Sequence, residues 1–390
     1  MAHAVTKEIL WTRPFTLTNL GILLLFIPFA LYMPVMPVYL LHDLHGSLEA
    51  AGAANAIFLI AAVLCRAQTA RLEVRFGVRK VMLVSGFLFT AINALYLAAG
   101  TVTGVLLIRF LSGACFAVAN TGVNAMGSRL IPLSRKGEGL AYLTTMVLAG
   151  GAIGPYIGLS LAHAWGYQAV FVFCTLVSLL GMLIFCVIDI PEERMRSKAH
   201  ASFIDLYELK ALPVSLIALV LAIAYGGVLT FIAVYAAELR LPLVGSYFFV
   251  VMAVVSIGSR LTTGRIYDRF GPDAAIYPAI LMVAVGLLTL GSIPTTAGML
   301  TAASLIGVGY GMAVPGIQTL AVQQAPEHRI SEVIATFFTC LDGGTGLGAY
   351  LLGSCIHVVG YAVVYQALGG MALLCIPTYY AVSAGRGRER

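Results

Sequence analysis

The sequence predicts an all-α polytopic membrane protein: twelve transmembrane helices in two pseudo-symmetric six-helix bundles. Three observations predict it. The 390 residues are 60% hydrophobic and only 10% charged, with a mean hydropathy of +0.95, whereas a soluble domain carries about 25% charged residues. The apolar residues come in unbroken runs of roughly 20, the length of a bilayer-crossing helix. The chain also resembles itself at a fixed offset of 194 positions. No single aqueous core could hide this much apolar surface, so the bilayer must be the solvent. Spanning segments are then helices or a closed barrel, and barrel strands would alternate apolar with polar residues, which these runs do not.

The runs lie at about 16–41, 48–67, 80–99, 104–128, 139–164, 168–188, 212–237, 243–264, 274–294, 299–322, 331–355 and 358–381. The first is too long for a secretory signal and no small-residue cleavage site follows it, so it reads as a retained helix. With the N-terminus in the cytoplasm, 21 of the 23 lysines and arginines fall on inside segments. Arg240 falls outside and Arg109 lies within span four. This positive-inside bias places both termini in the cytoplasm. The net charge of +6 then reflects topology and contact with anionic membrane lipids, and nothing calls for a nucleic acid. The seven cysteines lie in or beside spans without a CxxC pair and read as small buried apolar residues. Neither a cofactor nor a metal site is expected, although His42 and His45 stand three apart in the first outside loop.

The repeat is plainest in "CRAQTARLEVRFG", Cys65 to Gly77, which returns as "SRLTTGRIYDRFG", Ser259 to Gly271. Arg66, Thr69, Arg71, Arg75, Phe76 and Gly77 reappear as Arg260, Thr263, Arg265, Arg269, Phe270 and Gly271. Pro132, Arg135 and Glu138 likewise match Pro326, Arg329 and Glu332. Two bundles follow, residues 1–190 and 212–390, joined by a polar cytoplasmic linker at 191–211. Duplicated bundles packed about an axis normal to the membrane leave one central cavity that rocking opens to alternate sides.

On these motifs the chain resembles the major facilitator superfamily over essentially its whole length. That family's GxxxDRxG signature between helices two and three, and again between eight and nine, is complete in the second copy as Gly264, Asp268, Arg269 and Gly271. The first copy has Ala70 and Val74 in place of the glycine and the aspartate. Arg109 and Gly113 match the family's RxxxG, and Gly150, Gly154, Pro155 and Gly158 match its GxxxGPxxG. Spans seven and eleven, "YGGVLTFIAVY" and "CLDGGTGLGAYLLG", resemble the drug:proton antiporter branch, including bacterial exporters of opine metallophores of the staphylopine type.

The resemblance implies a gate built from Arg66, Arg71, Arg75, Arg260, Gly264, Asp268, Arg269 and Gly271. Asp268 would latch onto the start of helix five, where a helix N-terminus favours an anion. Glycine at 264 would let the backbones approach. Val74 cannot accept a hydrogen bond, and Glu73 points about 100° away on a helix, so the gate should be asymmetric. Gly154-Pro155 should kink helix five, because proline removes a helix hydrogen bond. Helices one, four, seven and ten would line the pathway. Their candidates for solute contact are Tyr32, Asn120, Asn124, Tyr225, Phe231, Tyr235, Tyr310 and Gln318, each of which could equally make a helix–helix hydrogen bond.

Two ionisable residues fall inside spans, Arg109 and Asp342. Such groups are costly in hydrocarbon and are functional candidates by default. Asp342, without a basic residue one turn before it, reads as a proton carrier, or else as a neutral acid that fixes packing. Arg109, always charged, reads as a coupling group or a structural tie. The glycine strings "GVGYG" and "GGTGLG" lie mid-span without a preceding strand, so they serve close helix packing and not a nucleotide loop. An enzyme is not expected, since the chain has no HExxH, no GxSxG and no paired intramembrane acids. The expectation is a monomeric, proton-coupled exporter of a small organic solute in the bacterial inner membrane. An importer of the same fold is the alternative.

Overall fold

The computed structural model describes residues 9–132, 135–188, 207–323 and 329–384. Ten long helices account for nearly all of them. They are α1 (Arg13–His42), α2 (Leu48–Phe76), α3 (Val78–Leu95), α4 (Val102–Arg129) and α5 (Lys136–Val187), then α6 (Leu212–Glu238), α7 (Pro242–Phe270), α8 (Pro272–Ser292), α9 (Thr296–Gln323) and α10 (Ile330–Ala384). Local chemistry sets their starts. Thr12, Ser47 and Thr101 cap α1, α2 and α4 by accepting from backbone N–H groups three residues on, which satisfies otherwise orphaned donors. Prolines that have no N–H to waste occupy the first turn of α6, α7 and α8.

Three expectations change. The twelve apolar runs appear as ten helices, because α5 (52 residues) and α10 (55 residues) are each two membrane lengths turned at one non-helical residue, Gly166 and Gly360. Gly166 has φ 76° and Gly360 φ 81°, a backbone region open essentially to glycine alone. The basic repeat, in turn, is helix and not loop. Both α2 and α7 stay helical through the basic repeat to Phe76 and Phe270, and only Gly77 (φ 87°) and Gly271 (φ 86°) make the turns. The helix through Gly154-Pro155 also keeps helical backbone angles, so the break in α5 lies at Gly166 and not at the proline. Gly150, Gly154 and Gly158 instead press against α1, where an added Cβ would meet Phe26, Ile27 and Leu31.

The repeat is a repeat of contacts. A Cβ on Gly113 would strike the carbonyl oxygen of Phe58, and one on Gly307 that of Met252. Thr69 donates to the carbonyl of Cys65 at 3.1 Å, and Thr263 to that of Ser259 at 2.7 Å. Each of these pairs, like each pair of corner glycines, is 194 positions apart. The polar residues 191–211 join the two halves in sequence and fall largely outside the described residues. Their described end is moored to the second half: Glu208 forms a 2.6 Å ion pair with Arg329, and its N–H donates to the Thr336 hydroxyl at 2.9 Å.

Candidate functional site

The helix ends carrying most of the basic residues define one face of the bundle. Along the seam between the halves, packing is tightest toward the other face. There a Cβ on Gly52 of α2 would meet the carbonyl oxygen of Ala349 of α10, and one on Gly353 that of Leu48. Tyr156 of α5 lies 6.2 Å, centroid to centroid, from Tyr247 of α7. On the basic side α7 stands clear. Gly264 has nothing within 4 Å of where a Cβ would be, which corrects the close approach expected there, and Leu261 and Phe270 are largely exposed.

Halfway along the seam is a cavity of about 270 Å³. Its wall comes from α1, α2, α5, α6, α7, α9 and α10, and α4 contributes nothing, so the expected lining by spans one, four, seven and ten is only partly what the structure shows. Of the eight expected solute contacts, Tyr225 and Tyr310 reach this wall. They stack face to face, centroids 3.8 Å apart and planes 7° apart. Tyr32 is buried inside the first bundle against Tyr96. Phe231 is buried at the tight seam beside Gly52. Tyr235 is buried against Tyr361 and Tyr365. Asn124 donates to Asn120 at 2.7 Å along α4, and Gln318 is half-buried on α9; none of these three is in the cavity wall.

Asp342 is in the wall, and it is not unpaired: Arg66 Nη1 of the other half lies 2.7 Å from its Oδ2. The two side chains are 32% and 22% exposed, so the pair is partly shielded and its attraction is screened less than that of a fully exposed pair. Sequence reasoning named both residues and missed the bond. Arg66 stands at the end of the apolar part of α2, and its long side chain reaches across to α10.

Arg109 lies elsewhere, fully buried within the first half. Its Nε donates to the Ala54 carbonyl at 3.1 Å and its Nη2 to Asn55 Oδ1 at 2.7 Å, and the guanidinium sits 4.5 Å over the Phe58 ring. Asn55 in turn donates to the Met33 carbonyl at 2.7 Å and, across the seam, to Thr230 Oγ1 at 3.1 Å. Asn55 and Thr230 escaped the sequence reading because a single amide or hydroxyl in a span carries no signal without its neighbours.

In the gate, the side chain of Asp268 lies outside the described residues. Val74 is exposed, while Glu73 is buried, 5% exposed, with Oε1 unpartnered. The acid of the first copy therefore points into the bundle toward α4, where Gly122 leaves it room. Arg71 donates to Gln68 at 3.3 Å, and Arg75 and Arg269 each lie over the neighbouring phenylalanine ring at 5.1 Å. Among the described residues, no group of three or more His, Cys, Asp or Glu side chains could hold a metal.

Comparison with known proteins agrees with this architecture. The pattern of the Major Facilitator Superfamily matches residues 18–349. An uncharacterised MFS-type transporter of Methanocaldococcus jannaschii is 24% identical over 369 residues, covering 92% of this chain and 93% of its own. The multidrug resistance protein MdtG of Klebsiella pneumoniae is 24% identical over 382 residues, covering 93% and 92%. Among solved structures, a mutant of the nucleoside transporter NupG superposes with a TM-score of 0.80 at 12% identity, covering 95% of this chain and all of its own. With two repeated helical halves, a cavity between them and a family match across most of its length, this chain belongs to the Major Facilitator Superfamily and is a membrane transporter of that type.

Proposed function

We propose that the protein is a proton-coupled exporter of a small organic solute, drug-like or a zwitterionic metallophore-type metabolite, working by alternating access. The observation that carries the proposal is the Arg66–Asp342 ion pair, which joins the two halves at the wall of the cavity. Ionised, Asp342 holds α2 to α10 and favours the arrangement described above, closed toward the less basic face. Protonated, it gives up most of the attraction, since Arg66 stays charged. A proton that favours one arrangement over the other is coupled to whatever the cavity binds. Arg109 takes part through Asn55, which links it to Thr230 of the other half. The latch at Asp268, Arg269 and the glycines beside them closes the basic face in the alternate state. The MdtG relatives, named multidrug resistance proteins, support export. The basic bias supports a bacterial inner-membrane protein with both termini in the cytoplasm, a monomer whose partners are solute, protons and lipid.

A proton crossing 100 mV gains about 2.3 kcal/mol, which sustains roughly a 40-fold solute gradient at about 1.4 kcal/mol per tenfold. The test is Asp342→Asn reconstituted in liposomes with an imposed pH gradient, recording solute and proton flux together. Uphill export is expected to vanish while downhill exchange persists. A variant that still concentrates solute would overturn the proposal. Solute flux of the opposite sign in cells lacking and regaining the chain would make the protein an importer.

A further inference from the structure

The internal repeat is broken at the seam between the halves. Arg66 recurs as Arg260, but the position 194 before Asp342 is Leu148. The seam between α2 and α10 therefore holds a completed ion pair, while the equivalent seam between α7 and α5 has an arginine and, in place of the acid, a leucine. Leu148 lines the cavity. Arg260 is not itself in the wall; it follows Ser256 and Ile257, both in the wall, by four and three residues on α7, which puts it beside the cavity on the same helix face. It lies within electrostatic reach of the Tyr225 and Tyr310 hydroxyls. Its Nε is buried without a hydrogen-bond partner, and among the described residues no carboxylate pairs with it.

A guanidinium that only anchored a helix end would stand in headgroup water. This one is half-buried beside a stacked pair of tyrosines, and a desolvated unpaired charge is costly. An anion that comes and goes would compensate it. We propose that Arg260 is the anion-binding group of the cavity and that the transported solute carries a carboxylate-type oxyanion. The planar fork of the arginine suits such an anion. The Tyr225–Tyr310 stack gives a flat apolar part of the solute a surface beside it, and Asp342 is already paired with Arg66, so it is not the partner of Arg260. The proposal deepens the reading above and rests on it in taking the cavity as the solute's.

The test is equilibrium calorimetry on the purified full chain with two probes of one shape, 2-naphthoate and the neutral 2-naphthamide. The wild type is expected to bind the carboxylate at least tenfold more tightly than the amide. Arg260→Gln should bring the two affinities within about twofold of each other while leaving amide binding in place, which shows the cavity intact. Leu148→Asp should do the same by supplying the missing acid from within, and it serves as the second arm should Arg260→Gln fail to fold. Failure of the wild type to bind 2-naphthoate, equal binding of the two probes, or a preference that survives either Arg260→Gln or Leu148→Asp would each overturn the proposal. No gradient is applied, so the anion site can fail while proton-driven export stands, and can stand while export fails.

Discussion

At the scale of single residues, the acid of the first copy is Glu73, one position before Val74, and it is not turned toward the latch expected of an aspartate at 74. It points into the first half, where burial raises its carboxyl above the ordinary range and the charge of Arg129 lowers it in part. The equivalent positions in the second half are Tyr267 and Gln323, joined by a 3.0 Å hydrogen bond. One half has an acid and a base where the other has a neutral pair. A carboxyl whose pKa is raised on folding stabilises the folded state when protonated, and that contribution is lost as pH rises through the folded value. Glu73→Gln should therefore become more stable relative to the wild type as pH rises from below the ordinary carboxylate range to neutrality. Thermal unfolding in detergent across that range is the measurement, and a stability difference that does not vary with pH would sink the idea. Asp342 stands out in the sequence because an acid at mid-span is conspicuous. Its partner does not, because a pair 276 positions apart depends on how two helices of different halves meet.

At the scale of helices, glycine does two separate things. Gly113 and Gly307 let one helix touch the backbone of another, and a Cβ at either would need the carbonyl opposite to move. Gly166 and Gly360 have open space around them and are needed for their backbone angles alone. Gly166→Ala should cost about 1–3 kcal/mol through those angles. Gly151→Ala, in helix with nothing within 4 Å, should be neutral or stabilising by up to about 1 kcal/mol. Paired thermal unfolding of the two variants checks this, and equal losses would contradict it. The spans are legible because hydropathy is a local sum over about 20 residues. The one-residue corners are not, because such a sum runs straight across them. Nor is the extension of α2 and α7 through the basic repeat, since charged residues there end the apolar signal without ending the helix.

At the scale of the whole molecule, the offset of 194 is legible in the amino-acid order alone, and it returns in corners, contacts and hydrogen bonds alike. Which face of the seam is shut is not legible there, since it depends on how helices of the two halves meet. The same architecture makes the two faces very unequal to a protease. On the less basic face the connections are residues 43–47, 99–101, 239–241 and 293–295 and the two single-glycine corners. Cleavage concentrates at exposed, loosely held loop tips, and trypsin cuts only after lysine or arginine. On that face its sole target is Arg240, set in a three-residue turn with φ 61° between α6 and α7. In vesicles, the full-length chain should survive trypsin added on that side and be cut from the other, where the remaining basic residues of the helix ends and connections lie. The sidedness of the protein could thus be read from a gel without attaching any tag, and efficient cutting at Arg240 alone would show that this turn opens far more than its geometry allows.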